Sequence, residues 1–413
     1  MNQPLPPTPT PKKGGGERAG SLAPAASAGA SSVLSPSLLR GGVGEGFYDA
    51  VVIGAGPAGA VAARELARRG CSVLLVDKSH FPRPKVCGCC VNGAAGESLR
   101  RLGLSHVLAN GVQLRDVRIG AGRHAASVKL PGGVSLSREA FDAALVCEAV
   151  KCGVQLREGV TAKLGEPNAG TREVFVGQES VRAKVVVVAS GLSGNDAMPE
   201  AGSRIGAGVV VAADLVPPFF GPGTIFMATG RGGYVGLVRV EDGRLDVAAA
   251  FDVAFVKAQG GLGLAAEAVL GEVGWPRVLG LAELPWKGTP ALTRRAKALA
   301  GERWFAIGDA AGYVEPFTGE GMAWAIASAA TIAPIAARAV QHWDDAHRRA
   351  WESAHHRVIG QRQRVCWVVS RVLRSPTLTT AVVRTLSALP ILSRPVVRAL
   401  NRSSASRSHG TPV

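Results

Sequence analysis

A glycine-rich turn between two apolar segments is the feature that most restricts how this chain can fold. Residues 48–78 read YDAVVIGAGPAGAVAARELARRGCSVLLVDK. The apolar runs at 48–53 and 72–76 predict buried strands, and the alanine-rich run between them predicts a helix that begins at Pro57. Three glycines in G-x-G-x-x-G spacing lie before and within this helix: Gly54, Gly56 and Gly59. This order of elements predicts a βαβ unit that binds a dinucleotide.

Each glycine of the motif has its own physical role. Gly54 permits the tight turn out of the strand, and Gly56 lets the backbone approach a pyrophosphate without an intervening Cβ. Gly59 lets the helix pack closely on the strand. The free N–H groups at the start of the helix face the phosphates. The predicted phosphate site therefore also includes the residues between the glycines: Ala55, Pro57 and Ala58.

An acidic residue ends the second strand of this unit. Asp77 follows Gly54 by about 20 residues, which is the spacing of the carboxylate that binds ribose hydroxyls. An acid here favours an unphosphorylated ribose, so FAD or NAD is expected rather than NADP. The alternative is a glycine-rich turn in an ordinary βαβ unit.

The charge distribution narrows the range of partners. The net charge is +16, and residues 351–413 contain ten arginines, no lysine and one acid, Glu352. Aromatic residues do not alternate with these arginines as stacking platforms, so we expect no nucleic-acid partner. Arginines among apolar residues predict C-terminal helices that either contact a membrane surface or lipid substrate, or cap the substrate domain.

The cysteine content and the N-terminus predict the compartment. Seven cysteines, an odd number, without a recognisable signal peptide indicate reducing conditions. The most apolar run, 321–336, is short and alanine-rich and predicts a buried helix rather than a membrane span. We therefore expect a cytoplasmic protein, with peripheral membrane contact through its C-terminus as an option.

A second informative stretch is RWFAIGDAAGYVEPFTGEGM, residues 303–322. An apolar strand is predicted to end at Gly308-Asp309, and a loop rich in glycine and proline leads into a long helix at about 320–340. A carboxylate at the strand end can bind a ribityl or other polyol hydroxyl, and the helix N-terminus can face a phosphate or an anionic ring. Taken alone, the stretch fits a strand–loop–helix with a capping aspartate equally well.

Together these motifs resemble those of the flavoprotein group that contains aromatic-ring hydroxylases, flavin-dependent halogenases and geranylgeranyl reductases. The loop P-R-x-K-x-C-G at 82–88 and the pattern Arg138-x-x-Phe141-Asp142 are most similar to the geranylgeranyl reductase branch. The resemblance covers about residues 48–340. It implies bound FAD, NAD(P)H as electron donor and an apolar small-molecule substrate.

The resemblance also implies roles for individual residues. The three glycines would hold the FAD pyrophosphate, Asp77 the adenosine ribose and Asp309 the ribityl–phosphate part, while Arg83 and Arg138 would lie along the cofactor. Cys87 would lie near the flavin face. The other residues that the resemblance places at the cofactor are Lys78, Gly308, Pro316, Gly319, Gly321 and Met322.

Several positions depart from the group's patterns. Gly312 stands where the hydroxylases usually carry histidine, and Ala189-Ser190-Gly191 lacks their acid. Tyr234 alone remains of the reductases' Y-x-W-x-F-P, and Trp286 stands outside any halogenase W-x-W-x-I-P. The substrate therefore stays open.

The expected fold is α/β, with a glutathione-reductase-type, Rossmann-like FAD domain, an antiparallel β-sheet substrate domain and a helical C-terminus. Short β-rich runs separated by glycine turns at 203–290 indicate the antiparallel sheet, which one helix near 262–272 interrupts. Helices are also predicted at 97–104 and from 138 to about 151, the second with Ser137 as its N-cap. The predicted segments are a disordered tail at 1–46; FAD-domain parts at 47–115, 138–202 and 291–340; substrate-domain strands at 116–137 and 203–290; and a basic helical region at 341–413.

The catalytic candidates are Cys87, Tyr234 and Glu320, with Glu315 and Trp286 also considered. The three thiols at 87, 89 and 90 have too few companions for zinc, so no metal is expected. They fit either a redox dithiol activated by Arg83 and Lys85, or small residues packed on the cofactor. The histidines at 342–356 are predicted to lie on a solvated helix face.

The primary functional hypothesis is an FAD-dependent oxidoreductase that reduces or dehydrogenates an apolar molecule. The alternatives are a flavin monooxygenase that hydroxylates a phenolic or polyketide-like substrate, and a non-catalytic flavin- or lipid-binding protein.

Overall fold

The computed structural model describes residues 46–194, 197–315, 317, 319–394 and 397. The predicted tail lies outside the described residues except for Gly46, and Pro316 also lies outside them.

The described residues form twenty strands and nine α-helices. The strands are β1 (Phe47–Ile53), β2 (Val73–Val76), β3 (Cys90–Asn92), β4 (Val112–Gln113), β5 (Asp116–Ala121), β6 (His124–Lys129), β7 (Gly133–Ser135), β8 (Gln155–Arg157), β9 (Ala162–Asn168), β10 (Thr171–Val176), β11 (Glu179–Val188), β12 (Ala197–Pro199), β13 (Ile205–Val211), β14 (Thr224–Gly230), β15 (Gly233–Arg239), β16 (Leu245–Phe251), β17 (Lys287–Ala291), β18 (Arg294–Ala296), β19 (Ala300–Gly301) and β20 (Trp304–Ala306). The helices are α1 (Pro57–Ala67), α2 (Gly93–Arg101), α3 (Arg138–Lys151), α4 (Val253–Gln259), α5 (Leu262–Glu272), α6 (Gly321–Gln341), α7 (Asp345–His355), α8 (Gln361–Val372) and α9 (Pro376–Ala388).

The first large sheet has eight strands, with the path β19-β20-β11-β1-β2-β8; strand β10 also pairs with β11, and β9 pairs with β10. Strand β1 lies between β2 and β11 and is parallel to both. Its last four residues are buried, as expected for a parallel strand that is covered on both faces. Helix α1 follows β1 directly and packs against α6 and α3. The βαβ unit predicted from the glycine motif is therefore present at the centre of this sheet.

The second large sheet has seven strands in the order β17-β13-β16-β15-β14-β5-β6. Its neighbouring strands are antiparallel except for β5 and β14, which are parallel with Ile119 opposite Met227. The expectation of a purely antiparallel sheet is therefore incomplete. The parallel pair brings strands from about residue 120 beside strands from about residue 225, which no local sequence pattern indicates.

Local capping explains where several helices begin. Ser137 was predicted to cap α3, and its Oγ accepts a hydrogen bond from the Ala140 backbone N–H at 3.1 Å. The helix predicted at about 97–104 instead spans Gly93–Arg101, because Asn92 caps it by accepting from the Ala95 N–H at 3.0 Å. Helix α5 has the bounds that its sequence pattern predicted, whereas α4 was not foreseen.

The C-terminal part consists of α7, a π-helical turn at His356–Gly360, α8 and α9. One face of α9 packs on β6, with Val383 buried against Ala121 and Ala126. The prediction that all histidines at 342–356 are solvated is wrong for His355. Its ring packs edge-on against the fully buried Trp351 at 5.4 Å, and burial lowers its pKa to about 4.

Helix α6 is the element of the described chain whose length and apolar composition would suffice to cross a membrane, and the bent pair α4–α5 would count as a second if taken as one span. In α6, 67% of the most apolar window is buried inside the protein. Its contacts with α1 and α2 agree with the predicted core helix.

Candidate active site

The glycine loop leaves an open space flanked by positive charge. Gly54 has a φ of +101°, a conformation that favours glycine, and Gly56 is extended. A Cβ on Gly56 would lie 3.7 Å from Nη2 of Arg83 and 4.0 Å from Nη2 of Arg138. By contrast, a Cβ on Gly59 would overlap the carbonyl oxygen of Gly54. Two guanidinium groups and the N-terminus of α1 therefore converge on one anion-binding space.

Asp77 is hydrogen-bonded to this loop. Its Oδ2 accepts from the Ala55 N–H at 2.8 Å, and its Oδ1 accepts from the Ser79 N–H at 2.9 Å. Nη2 of Arg83 lies 3.8 Å from Oδ2. The carboxylate holds the loop in place, and its role as a ribose ligand stays a prediction. Lys78 is exposed and does not line the central cavity.

Arg138 is held rigidly beside the loop. Its Nε and Nη2 donate to the two carboxylate oxygens of Asp142 at 2.8 and 2.7 Å, and both side chains are buried. Arg83 lies 3.5 Å from the same carboxylate. A bidentate pair fixes the plane of the guanidinium, so its remaining N–H groups are preorganised for an anionic ligand.

The cysteine loop contains an acidified thiol. The hydrogen bond from Cys89, assisted by Arg138 and opposed by burial, lowers the pKa of Cys87 to about 5. The pKa values of Cys89 and Cys90 are raised well above the ordinary value, for Cys89 by its hydrogen bond to Cys87 and for Cys90 by burial. The cation that acts on Cys87 is thus Arg138, whereas Arg83 and Lys85 had been expected. Within the described residues, His, Cys, Asp and Glu form no group of three or more that could hold a metal ion.

The second motif faces the same cavity. Asp309 lies in a short 3₁₀ turn at Gly308–Ala311 after β20, and the Gly308 N–H donates to Ser328 Oγ at 3.1 Å. Enclosure raises the pKa of Asp309, while Lys85 and Arg138 oppose this shift. The motif residues that line the cavity are Asp309, Tyr313, Phe317, Gly319, Glu320, Gly321 and Met322.

Glu320 is a buried carboxyl group at the N-terminus of α6. Its Oε1 accepts from Asn92 Nδ2 at 2.9 Å, and Arg362 Nη1 lies 3.6 Å from its Oε2. Burial raises the pKa of Glu320 to about 7, although Arg362, Asn92 and Trp324 favour its ionised form. Glu320 can therefore hold or release a proton near neutral pH.

Of the other catalytic candidates, Tyr234 lines the cavity and Trp286 does not. Tyr234 lies on β15 with its ring edge-on to Phe317 at 5.1 Å, and burial raises the pKa of its hydroxyl well above the ordinary value. Trp286 donates its indole N–H to the Leu281 carbonyl at 2.8 Å and packs against the core of the second sheet. Glu315 does not line the cavity either, and its carboxylate is ion-paired with Arg204.

The cavity has a volume of about 840 Å³, within the usual range for a small-molecule site. Polar groups of the glycine loop, the cysteine loop and the second motif line one part of it. Apolar side chains from β5, β6, β14 and the C-terminal helices line another part, and examples are Ile119, Val128, Ile225, Val372 and Leu386. Such a cavity can hold a polar cofactor next to an apolar molecule.

Comparison with known proteins identifies one family model and several reductases that this chain resembles. Residues 49–229 match the family described as lycopene cyclase protein. The chain is 27% identical over 311 residues to menaquinone reductase of Mycobacterium tuberculosis, which covers 66% of this chain and 72% of the relative. It is 32% identical over 186 residues to digeranylgeranylglycerophospholipid reductase 2 of Methanopyrus kandleri, which covers 41% of each chain.

Solved structures show the same mixed α/β flavoprotein fold. A geranylgeranyl bacteriochlorophyll reductase-like protein from Thermoplasma acidophilum superposes with a TM-score of 0.72 at 19% identity, over 86% of this chain and 96% of that one. Halogenase PltM in complex with phloroglucinol and FAD superposes with a TM-score of 0.64 at 16% identity, over 86% and 85%.

This chain is an FAD-dependent oxidoreductase, and it is similar to geranylgeranyl lipid reductases and flavin-dependent halogenases.

The residues of this oxidoreductase fit FAD. A pyrophosphate suits the open space over Gly56 and the two guanidinium groups beside it. The buried Nε of Arg83 has no hydrogen-bond partner among the described residues and can donate to such a ligand. Asp309 and the start of α6 lie on the same cavity, where the ribityl chain and the ring would follow. When bound, FAD supplies the redox step, and the protein supplies orientation and electrostatics.

Two groups at the site of this oxidoreductase were not foreseen. Asn92 and Arg362 both contact Glu320, although they lie far from it in the sequence. The only local signal was the capping preference of Asn92 at the start of α2. Arg362 belongs to the basic C-terminal region, and no local sequence pattern distinguishes it from the other arginines there.

Proposed function

We propose that this FAD-dependent oxidoreductase is a reductase that uses NAD(P)H to saturate carbon–carbon double bonds in an apolar molecule carrying an isoprenoid chain. The FAD domain would be of the glutathione-reductase type, and the seven-stranded sheet would form the substrate domain. The observation that carries the proposal is the single cavity that joins the flavin-fitting polar part to an apolar chamber. The relatives named as reductases of menaquinone and of a geranylgeranyl lipid support the choice of substrate class.

The site residues suit this reaction. Reduction of a double bond needs a hydride, which bound reduced FAD would supply, and a proton, which a group with a pKa near 7 can donate. Glu320 lines the cavity beside the loop that leads into α6 and has such a pKa. Tyr234 stays protonated at all physiological pH values and can orient the substrate by donating a hydrogen bond.

The apolar chamber excludes water from the reacting double bond. Its lining from β5 and β14 is continuous with that from α8 and α9, so a flexible hydrocarbon chain can lie along it. Burial of apolar chain in such a chamber contributes about 0.8 kcal/mol for each CH₂ group. Most of the binding energy would thus come from the chain rather than from the reacting group.

The test is anaerobic. The flavin of the purified protein should be bleached by NADH or NADPH and reoxidised by an extract of unsaturated isoprenoid lipids, with a product two mass units heavier per turnover. Glu320→Gln should slow the reoxidation of the flavin by the lipid but leave its bleaching by NADH or NADPH intact. Only the transfer to the double bond needs the proton of Glu320. A product that contains added oxygen or halogen, formed only with oxygen present, would overturn the proposal in favour of a monooxygenase or halogenase.

A further inference from the structure

The C-terminal helices carry apolar side chains on two faces. The inner face of α9 packs on the second sheet through Val383 and Leu386. Leu378 and Val382 lie one turn apart on α9 and are exposed to solvent, and so is Leu389, which follows the end of the helix. Soluble proteins rarely leave a group of large apolar side chains uncovered unless the group contacts a partner or a membrane.

The exposed side chains extend beyond α9. Trp367 and Val368 on α8 are 42% and 56% exposed, and Leu389 and Ile391 after α9 are 54% and 59% exposed. We define the C-terminal apolar surface as Trp367, Val368, Leu378, Val382, Leu389 and Ile391.

This surface is continuous with the mouth of the cavity. Val368 and Val382 are exposed to solvent and also line the cavity, and Leu392, next to Ile391, does the same. The helices that carry the surface therefore frame an opening into the apolar chamber. A protein partner sealed onto this surface would close that opening, whereas a lipid layer would be both the covering and the source of an apolar substrate.

The charge around the surface is one-sided. Residues 353–394 contain seven arginines and no aspartate, glutamate or lysine. Arg384 and Arg394 are exposed among the apolar side chains, and Arg371 stacks on Trp367 with its guanidinium carbon 4.5 Å from the ring centroid. Arginines beside exposed aliphatic and indole groups match the headgroup region of an anionic bilayer, where the indole lies at the interface.

The body of the protein fixes the orientation of these helices. Arg374 donates to the Gly202 carbonyl at 2.8 Å, and Arg204 donates to the Leu373 carbonyl at 3.4 Å. The corner between α8 and α9 is thus attached to the second sheet. Docking through these helices would place the cavity opening against the lipid rather than at the end of a free tail.

We propose that the C-terminal apolar surface docks reversibly on an anionic lipid bilayer and that the substrate enters the cavity directly from it. The inference deepens the proposed function, because it names the source of the apolar substrate. It also explains why arginine is concentrated where the cavity opens.

The test is sedimentation of full-length, flavin-loaded protein with phosphatidylcholine vesicles that contain or lack phosphatidylglycerol. We expect binding at least about tenfold stronger to the anionic vesicles, lost at high salt because the ions screen the arginines. The variant pair Leu389→Ser/Ile391→Ser should weaken binding about tenfold, and Arg384→Glu/Arg394→Glu should abolish it. None of these four residues lines the cavity, so flavin content should stay unchanged.

Matched controls use residues elsewhere that are at least as exposed as the apolar pair, together with two exposed cations. Leu279, 77% exposed, and Met198, 60% exposed, are the control positions for the apolar pair. Lys257 and Arg277 are the control positions for the two arginines. Control variants with serine or glutamate at these positions should bind as the wild type does.

Other results would overturn the proposal. These are equal binding to neutral and anionic vesicles, equal losses in the control variants, or a concentration-dependent dimer that the Leu389→Ser/Ile391→Ser change abolishes, which would assign the surface to a second copy. Vesicle binding is measured without turnover, so its failure is distinguishable from failure of the reductase reaction.

Discussion

Arg204 and Glu315 form a fully buried ion pair, with Nη1 and Oε1 3.2 Å apart and each side chain 1% exposed. Arg204 also lies 3.3 Å from Asp252 and donates to the Leu373 carbonyl. The pair therefore links the loop before β13, the second flavin motif and the end of α8. Because removal of one partner leaves a buried charge without compensation, the fold is sensitive to a change of charge at this contact.

Glu315→Gln should destabilise the protein by about 3 kcal/mol, the lower end of the range for a broken buried pair, since Asp252 still faces Arg204. Urea unfolding followed by circular dichroism measures the change. The control is Glu200→Gln, which breaks the exposed pair with Arg295 and should change stability by less than about 1 kcal/mol. Similar losses in both variants would contradict the assigned role of the buried pair.

Substitutions in the glycine loop separate cofactor binding from packing. Gly56→Val should fold but lose FAD, because its Cβ meets no protein atom closer than 3.7 Å while the side chain enters the space beside Arg83 and Arg138. Gly59→Ala should fail to fold, because its Cβ overlaps the Gly54 carbonyl oxygen. Flavin absorbance and thermal unfolding distinguish the two.

The control for this experiment is Gly271→Val, at an open position on α5, which should keep both flavin and stability. A Gly56→Val protein that is still yellow would show that the role of the glycine loop is misassigned.

Glu320 should make stability depend on pH. Its pKa is about 7 in the folded protein and 4.5 ordinarily, so the folded state holds a proton that the unfolded state has released between these values. Stability contributed by this group is therefore present below pH 4.5 and lost as the pH rises to 7, by about 3 kcal/mol in total. In Glu320→Gln this slope should disappear from unfolding curves measured between pH 5 and 8, and parallel curves for the two proteins would contradict the raised pKa.

Cys87 should be the most reactive thiol at acidic pH. With a pKa of about 5 it is largely thiolate at pH 6, while Cys89 and Cys90 stay protonated. Iodoacetamide at pH 6 should therefore label Cys87 first in flavin-free protein, as read from peptide masses. Cys71, whose pKa burial raises, is the internal control, and equal labelling of Cys71 and Cys87 would contradict the assignment.

Short-range features of this protein follow from the sequence for a physical reason. The turn at Gly54, the phosphate-facing start of α1 and the Ser137 cap of α3 depend on backbone conformations and hydrogen bonds within a few residues. The hydrophobic periods of β1, β2 and α5 predict these elements because burial acts on each element separately. Such features bring no distant residues together, so local patterns are sufficient.

The tertiary structure determined the contacts between distant residues, which local sequence patterns do not encode. The parallel pairing of β5 with β14, the approach of Asn92 and Arg362 to Glu320 and the effect of Arg138 on Cys87 all join residues that are distant in the sequence. Burial also changes the chemistry of individual side chains. It raises the pKa of Glu320 to about 7 and lowers that of His355 to about 4, so that this histidine is neutral. The sequence alone thus determined that the chain has a dinucleotide-binding βαβ unit and a flavin motif, while packing determined which side chains titrate near them and where the apolar cavity opens.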